Sequence, residues 1–90
     1  MPRKERVIKV FDGDTFLTSV RKNPVRLNDV NTPEKRQPGY QDAKKALEKL
    51  IGDKQVTVNT VARDKWGRPI ADVKLGNQSV NRAMKKYQKK

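Results

Sequence analysis

Apolar and polar positions alternate along most of this chain, and the places where the alternation stops divide it into separate elements. Val7 to Phe11 is β-branched and aromatic and predicts a strand, ended by the tight-turn signal Asp12-Gly13-Asp14. Thr15 to Val20 predicts a second strand, broken by Asn23-Pro24, and Val25 to Val30 a third, closed by Asn31-Thr32-Pro33. The three read as a meander. From Pro38-Gly39 the period changes. Tyr40, Ala43, Leu47, Leu50 and Ile51 recur at helical spacing and form one apolar stripe, with Lys44, Lys45, Glu48 and Lys49 off it. Gly52 stands where a C′ glycine stops a helix. Val56 and Val58, with Val61 beyond them, predict a fourth strand over Gln55 to Ala62. Asp64-Lys65-Trp66-Gly67 turns the chain into a fifth, Ile70 to Leu75. After the turn Gly76-Asn77, Ser79 is set to cap a short helix holding Val80, Ala83, Met84 and Tyr87. That helix runs out into Lys85-Lys86 and Lys89-Lys90, a basic tail.

The predicted order is three strands, a helix, two strands and a final helix. That is the order of a five-stranded OB barrel, so the fold class is mainly β with helices (α+β). With no internal repeat and no linker, residues 1–90 read as one domain with a core over about 7–84. OB barrels favour oligonucleotides as ligands, although a fold alone does not fix a function.

Composition narrows the chemistry. Of the 90 residues only 33% are hydrophobic, so the core must be thin. There is no cysteine, which excludes a disulfide and a thiolate metal site. There is no histidine, so catalysis would have to run on carboxylates, Arg and Lys, and any metal should be a hard, oxygen-liking cation. Lys and Arg total 22 against 10 Asp and Glu, a net charge of +12, which attracts polyanions by counterion release. A ribosome-like or merely soluble basic protein carries the same charge. The longest apolar runs, such as Val7-Ile8 and Leu50-Ile51, are far too short for a membrane span. Met1 to Arg6 lacks the apolar region of a signal peptide, so the chain is expected to be intracellular or a mature fragment. A monomer is expected, because no large apolar stripe is left unassigned.

Candidate chemistry lies at strand ends. Asp12-Gly13-Asp14-Thr15 reads as a plain turn or as the place where Asp14 gives a carboxylate oxygen to a cation. Asn31-Thr32-Pro33-Glu34 reads as an Asx-type turn or as a ligand loop. In the second case Asn31 offers a side-chain oxygen, Thr32 a main-chain oxygen and Glu34 a carboxylate. Arg26, among Val25, Leu27 and Val30, needs a partner, either a structural acid or a phosphate. Arg68 follows a glycine at a strand start and is either a surface residue or a phosphate ligand. Tyr40 and Trp66 are the candidate surfaces for stacking bases, Tyr40 competing with a place in the helix core.

These segments taken together resemble a known family. Asp12-Gly13-Asp14-Thr15, then Arg26 through Thr32-Pro33-Glu34, then Asp64-Lys65-Trp66-Gly67-Arg68 are similar in order and spacing to the three motifs of staphylococcal (micrococcal) nuclease-like domains. Val80-Asn81 before the last helix fits as well, and the likeness runs from about Val7 to Met84. The resemblance implies a Ca²⁺-dependent endonuclease that hydrolyses single- or double-stranded DNA and RNA to products with 3′-phosphates. It implies that Asp14 and Thr32 bind Ca²⁺, with Asn31 standing where the second carboxylate ligand usually is. Arg26 and Arg68 would grip the phosphate, and Glu34 would act as general base on the attacking water. Lys65 and Trp66 would reach a neighbouring phosphate or sugar. A neutral amide at Asn31 should lower Ca²⁺ affinity, because ligand charge count helps to set it. The alternative is an OB module that binds nucleic acid with weak turnover or none.

Overall fold

The computed structural model describes residues 4–88, so Met1 to Arg3 and the Lys89-Lys90 end of the expected tail lie outside the described residues. The elements are β1 (Lys4–Asp12), β2 (Thr15–Thr18), β3 (Val25–Leu27), α1 (Tyr40–Ile51), β4 (Gln55–Arg63), β5 (Pro69–Leu75), β6 (Gln78–Ser79) and α2 (Val80–Met84), followed by a 3₁₀ turn, Lys85–Tyr87.

Strand β1 carries the barrel. Its first residues pair with β4, from Lys4↔Thr57 to Arg6↔Gln55, and the rest pair with β2, from Val7↔Thr18 to Asp12↔Thr15. One strand can serve two neighbours because it bends, and the bends are register shifts between Val7 and Lys9 and between Val10 and Asp12. The shift at Ile8 also explains why Val7 and Val10 both face the core although strict alternation would separate them, while Ile8 is exposed. β2 pairs with β3 and β4 with β5, all antiparallel. The parallel pairing of β3 with β5, Arg26↔Ile70 and Leu27↔Ala71, closes the ring. Five strands in a closed ring with α1 between the third and fourth make the expected α+β OB barrel.

The helices stopper the barrel. Ala43, Leu47 and Ile51 of α1 are fully buried, and burying side chains such as Leu47 and Ile51 is worth roughly 1.5–3 kcal/mol each. Tyr40 sits at the edge of that stripe and donates its hydroxyl to the carbonyl of Phe11 at 2.9 Å, which ties the helix to β1. Val80 and Met84 of α2 close the core beside Phe16, Leu27 and Val73. Ser79 caps α2 as expected, its Oγ accepting the N–H of Arg82 at 3.1 Å.

Several boundaries differ from the sequence expectation. β1 begins three residues early, at charged Lys4, because Glu5 is buried with partners of its own (below). β2 stops at Thr18 and leaves Val20 exposed. β3 stops at Leu27 because Asp29 turns to φ 58, yet Val30 is buried beyond it. Val61 is exposed at a register shift between Thr60 and Ala62. Tyr87 belongs to the 3₁₀ turn rather than to α2. Gly52 is not the left-handed stop: its φ is −54, and Asp53 takes the positive value, 59. Gly52 is small for another reason, since a Cβ there would lie 2.4 Å from the carbonyl oxygen of Glu48.

Candidate functional site

Asp14 is the anchor of the site. It follows β1 at the turn into β2 and is only 7% exposed. A buried carboxylate needs donors. Oδ1 accepts the Thr15 hydroxyl at 2.9 Å and Oδ2 the backbone N–H of Thr32 at 3.2 Å. The guanidinium of Arg26 stands 3.7 Å from Oδ2. Arg26 is carried there by the sheet, because its residue pairs with Thr15 across β2–β3. An acid, one of the two partners expected for Arg26, thus stands beside it.

Gly13 sets how close these pieces come. A Cβ on it would lie 2.6 Å from Cβ of Ala43 and 2.8 Å from Oγ1 of Thr32, so only glycine lets the turn pack against α1 and the Thr32 loop. Oγ1 of Thr32 is buried with no hydrogen-bond partner among the described residues.

Asp12, treated in the sequence only as a turn residue, belongs to the same constellation. Its Oδ1 accepts the N–H of Asp14 at 3.1 Å. Burial first, then the side-chain hydrogen bond and the negative charge of Asp14, push its pKa up to about 6. Two crowded carboxylates and an unpartnered hydroxyl are an oxygen-only donor set that a hard divalent cation would relieve. The residues present therefore fit Ca²⁺ or Mg²⁺. Among the described residues no group of three or more His, Cys, Asp or Glu gathers, so the protein contributes few charged ligands and waters would complete the shell. The signal that could have found Asp12 is its spacing from Asp14, two carboxylates in one strand-to-strand turn.

The other expected residues are placed by neighbouring turns. Asn31 is exposed, and its N–H meets Oε1 of Gln88 at 3.3 Å. Glu34 is exposed in the turn that follows, where its N–H donates to Oε1 of Gln37 and its carbonyl accepts the N–H of Gln37. Arg68 lies two residues before Ile70, the partner of Arg26 across β3–β5. Asp64 holds it: Nε of Arg68 is 2.6 Å from Oδ2, and Oδ1 accepts the N–H groups of Trp66 and Arg68. Although burial works the other way, those N–H groups, the guanidinium bond and its charge keep the Asp64 carboxyl below the usual range. The terminal nitrogens of Arg68 make no hydrogen bond among the described residues. Lys65 and Trp66 occupy the tip of the same turn. Trp66 is 69% exposed, with the ammonium of Lys65 4.6 Å and the guanidinium of Arg68 5.4 Å from its ring centre. An exposed aromatic ring with cations close to it has the chemistry to stack a base and meet its phosphate. Tyr40, the other stacking candidate, is half-buried and its hydroxyl is held by the carbonyl of Phe11.

The structure thus brings Asp12, Asp14, Thr32 and Arg26 into one cluster. It sets Arg68, Lys65 and Trp66 on the adjoining β4–β5 turn, with Glu34 on the loop two residues past Thr32. Asn81, noted in the sequence only beside Val80, stabilises this end from below. Its Oδ1 accepts the N–H of Val73 at 2.8 Å, and its Nδ2 donates to the carbonyls of Asn28 and Ala71 at 2.9 and 3.1 Å.

Comparison with known proteins shows the family. The family model described as staphylococcal nuclease homologue matches residues 24–87. An uncharacterized endonuclease of Haemophilus influenzae is 36% identical over 84 residues, 90% of this chain and 47% of its own length. Protein ParB of Escherichia coli is 33% identical over 78 residues, 84% of this chain and 44% of its own. A probable staphylococcal-like nuclease of Oryza sativa, CAN3, is 32% identical over 81 residues, 90% of this chain and 21% of its own. The chain spans about half the length, or less, of these curated relatives.

Proposed function

Since the chain belongs to the staphylococcal nuclease homologue family, we propose that it is a Ca²⁺-dependent endonuclease, a monomeric domain that hydrolyses phosphodiester bonds of DNA and RNA and leaves 3′-phosphates. The observation that carries the reading is the cluster at Asp14, where a buried carboxylate is locked by Thr15 and Thr32 and faced by Arg26.

In this reading Asp14, Asp12 and the oxygens of Asn31 and Thr32 hold the cation. Bound there, Ca²⁺ would supply positive charge to the scissile phosphate. Arg26 and Arg68 donate their terminal nitrogens to its non-bridging oxygens, which gain charge as water attacks, and two planar guanidiniums match that charge without reorganising. Glu34 orients the water and takes its proton, a role that a chain without histidine must give to a carboxylate. Lys65 and Trp66 hold the adjoining nucleotide by charge and stacking. Asp64 serves Arg68 and does not touch the substrate.

The second reading is an OB module that binds nucleic acid with little or no turnover. It is favoured by Asn31, a neutral group at a ligand position. Regarding surroundings, no helix among the described residues is long and apolar enough to cross a membrane.

Cleavage of a fluorescent single-stranded DNA oligonucleotide, with Ca²⁺, with Mg²⁺ and with chelator, tests the proposal. Cutting that requires Ca²⁺ and vanishes in Glu34→Ala, with binding retained, is the expected result. Salt-sensitive binding without cutting at any metal concentration would make the binding module the function.

A further inference from the structure

A second basic cleft lies between the β2–β3 connection and the β4–β5 turn, and the cutting described above does not use it. It encloses about 200 Å³ and is lined by Arg21, Lys22, Asn23, Arg63 and Pro69. Three of these side chains are cationic, none is acidic and none is aromatic. The lining therefore suits a compact anion and offers nothing on which a base could stack.

The walls of this cleft are held in place. Arg21 gives Nε and Nη2 to Glu5 at 2.7 and 2.8 Å, which fixes the guanidinium and leaves Nη1 over. From the other side, Arg63 Nη1 and Asn23 Nδ2 both donate to the carbonyl of Gly67, at 3.1 and 3.5 Å. Gly67 belongs to the turn that carries Lys65, Trp66 and Arg68. The neighbour of Arg68 in the chain, Pro69, pairs with Arg63. The cleft and the Arg68 guanidinium thus flank one short turn, with the exposed Trp66 ring at its tip. Glu5 neutralises Arg21, so the net charge facing solvent comes from Lys22 and Arg63.

We propose that this cleft is a second phosphate subsite, which takes a backbone phosphate of the same single-stranded nucleic acid after the strand has passed Trp66. The inference rests on the nuclease reading and adds to it the direction in which the strand runs over the barrel. Its consequence is a length dependence. Oligonucleotides too short to reach from Arg68 past Trp66 bind through the first site alone, and longer ones gain the cleft.

The test measures binding of fluorescent three- and ten-nucleotide single-stranded DNA by anisotropy, in chelator so that nothing is cut. The proteins are the wild-type chain, Lys22→Ala/Arg63→Ala, and Lys45→Ala/Lys49→Ala, which removes the same charge from α1. Lys22→Glu is included because the Lys22 side chain has no hydrogen bond among the described residues, so it stands if Arg63→Ala disturbs the turn. The expected result is a loss of about tenfold for the ten-nucleotide strand in the cleft variants, with a salt slope lower by roughly 0.7 in the double variant, the one phosphate contact removed. The three-nucleotide strand should bind all four proteins alike. An equal loss on both lengths, an equal loss in the α1 control, or displacement of the ten-nucleotide strand from the wild type by polyglutamate of the same charge would overturn the subsite. If the wild type binds and cuts while the cleft variants bind both lengths as it does, the subsite alone falls. If the wild type binds neither strand in chelator, the subsite falls, and if it also fails to cut with Ca²⁺, the nuclease reading falls with it.

Discussion

The backbone N–H of Thr32 donates to Oδ2 of Asp14 at 3.2 Å, so the turn after β1 and the loop after β3 are fastened at one carboxylate. Whatever binds Asp14 therefore also meets the Thr32 loop, on which the proposed function counts Asn31 as a ligand. A carboxylate at position 31 would add the charge that the donor set lacks. Asn31→Asp is expected to raise Ca²⁺ affinity about tenfold, since ligand charge tunes such sites. Terbium luminescence or calorimetry reads this without relying on cleavage. An unchanged affinity would remove Asn31 from the ligand set.

Gly13 has no room for a methyl group, with Ala43 and Thr32 within 2.9 Å of where it would lie. Gly13→Ala is expected to cost about 1–3 kcal/mol through overpacking. At roughly 4–8 °C per kcal/mol for a domain of this size, a thermal melt would show it plainly. Cation affinity should fall as well, because the turn must move away from Thr32.

Arg68 depends on Asp64 for its position. Asp64→Ala is expected to reduce cleavage by roughly ten- to a hundredfold, the scale on which a misplaced positioning group acts. Arg68→Ala should do the same, and the double variant should be no worse than Arg68→Ala alone, because the acid acts only through the guanidinium. Additive losses in single-turnover rates would mean that Asp64 has a separate role.

The barrel was legible in the sequence because its inward side chains, such as Phe16, Leu27, Leu47, Val56 and Val73, follow the periods of strand and helix. What hid were places where a polar group does the work of an apolar one. Lys4-Glu5-Arg6 has no apolar pattern, yet it is strand, since Glu5 is buried against Thr18 and Arg21 at 2.7 Å each. Ile8, Val20 and Val61 carry strong strand propensity and end outside the core, where bulges and a loop override alternation. At the site, Asp14, Arg26 and Thr32 were legible by type and spacing. Asp12 and Asp64 were not, because turns commonly use Asp and only the folded chain tells a turn former from a ligand or a clamp.

Glu5 also gives the fold a pH dependence. Burial would raise its pKa, but the hydrogen bond from Arg21, then that from Thr18, then the Arg21 charge bring it below the ordinary 4.5. The folded carboxylate thus binds a proton more weakly than the unfolded one. Its contribution is whole above 4.5 and is lost as the pH falls from there through the folded value. Glu5→Gln should be less stable at neutral pH by about 1–3 kcal/mol, the worth of hydrogen bonds to a buried charge. Its melting temperature should also fall less than the wild type's between about pH 5.5 and 3.5. Parallel melting curves would show that Glu5 is not the group that titrates.

The parallel pairing of β3 with β5 joins residues far apart in the chain, Arg26 with Ile70. Such a contact has a higher loop-closure cost than the local hairpins β1–β2 and β4–β5. Until it forms, nothing directly joins β3, which carries Arg26, to β5, which Arg68 precedes, so the two arginines that the proposed function sets on one phosphate are not held together. In the proposed nuclease, a chain in which that pairing is open is therefore expected not to cut, and competence would arrive with the closure of the ring.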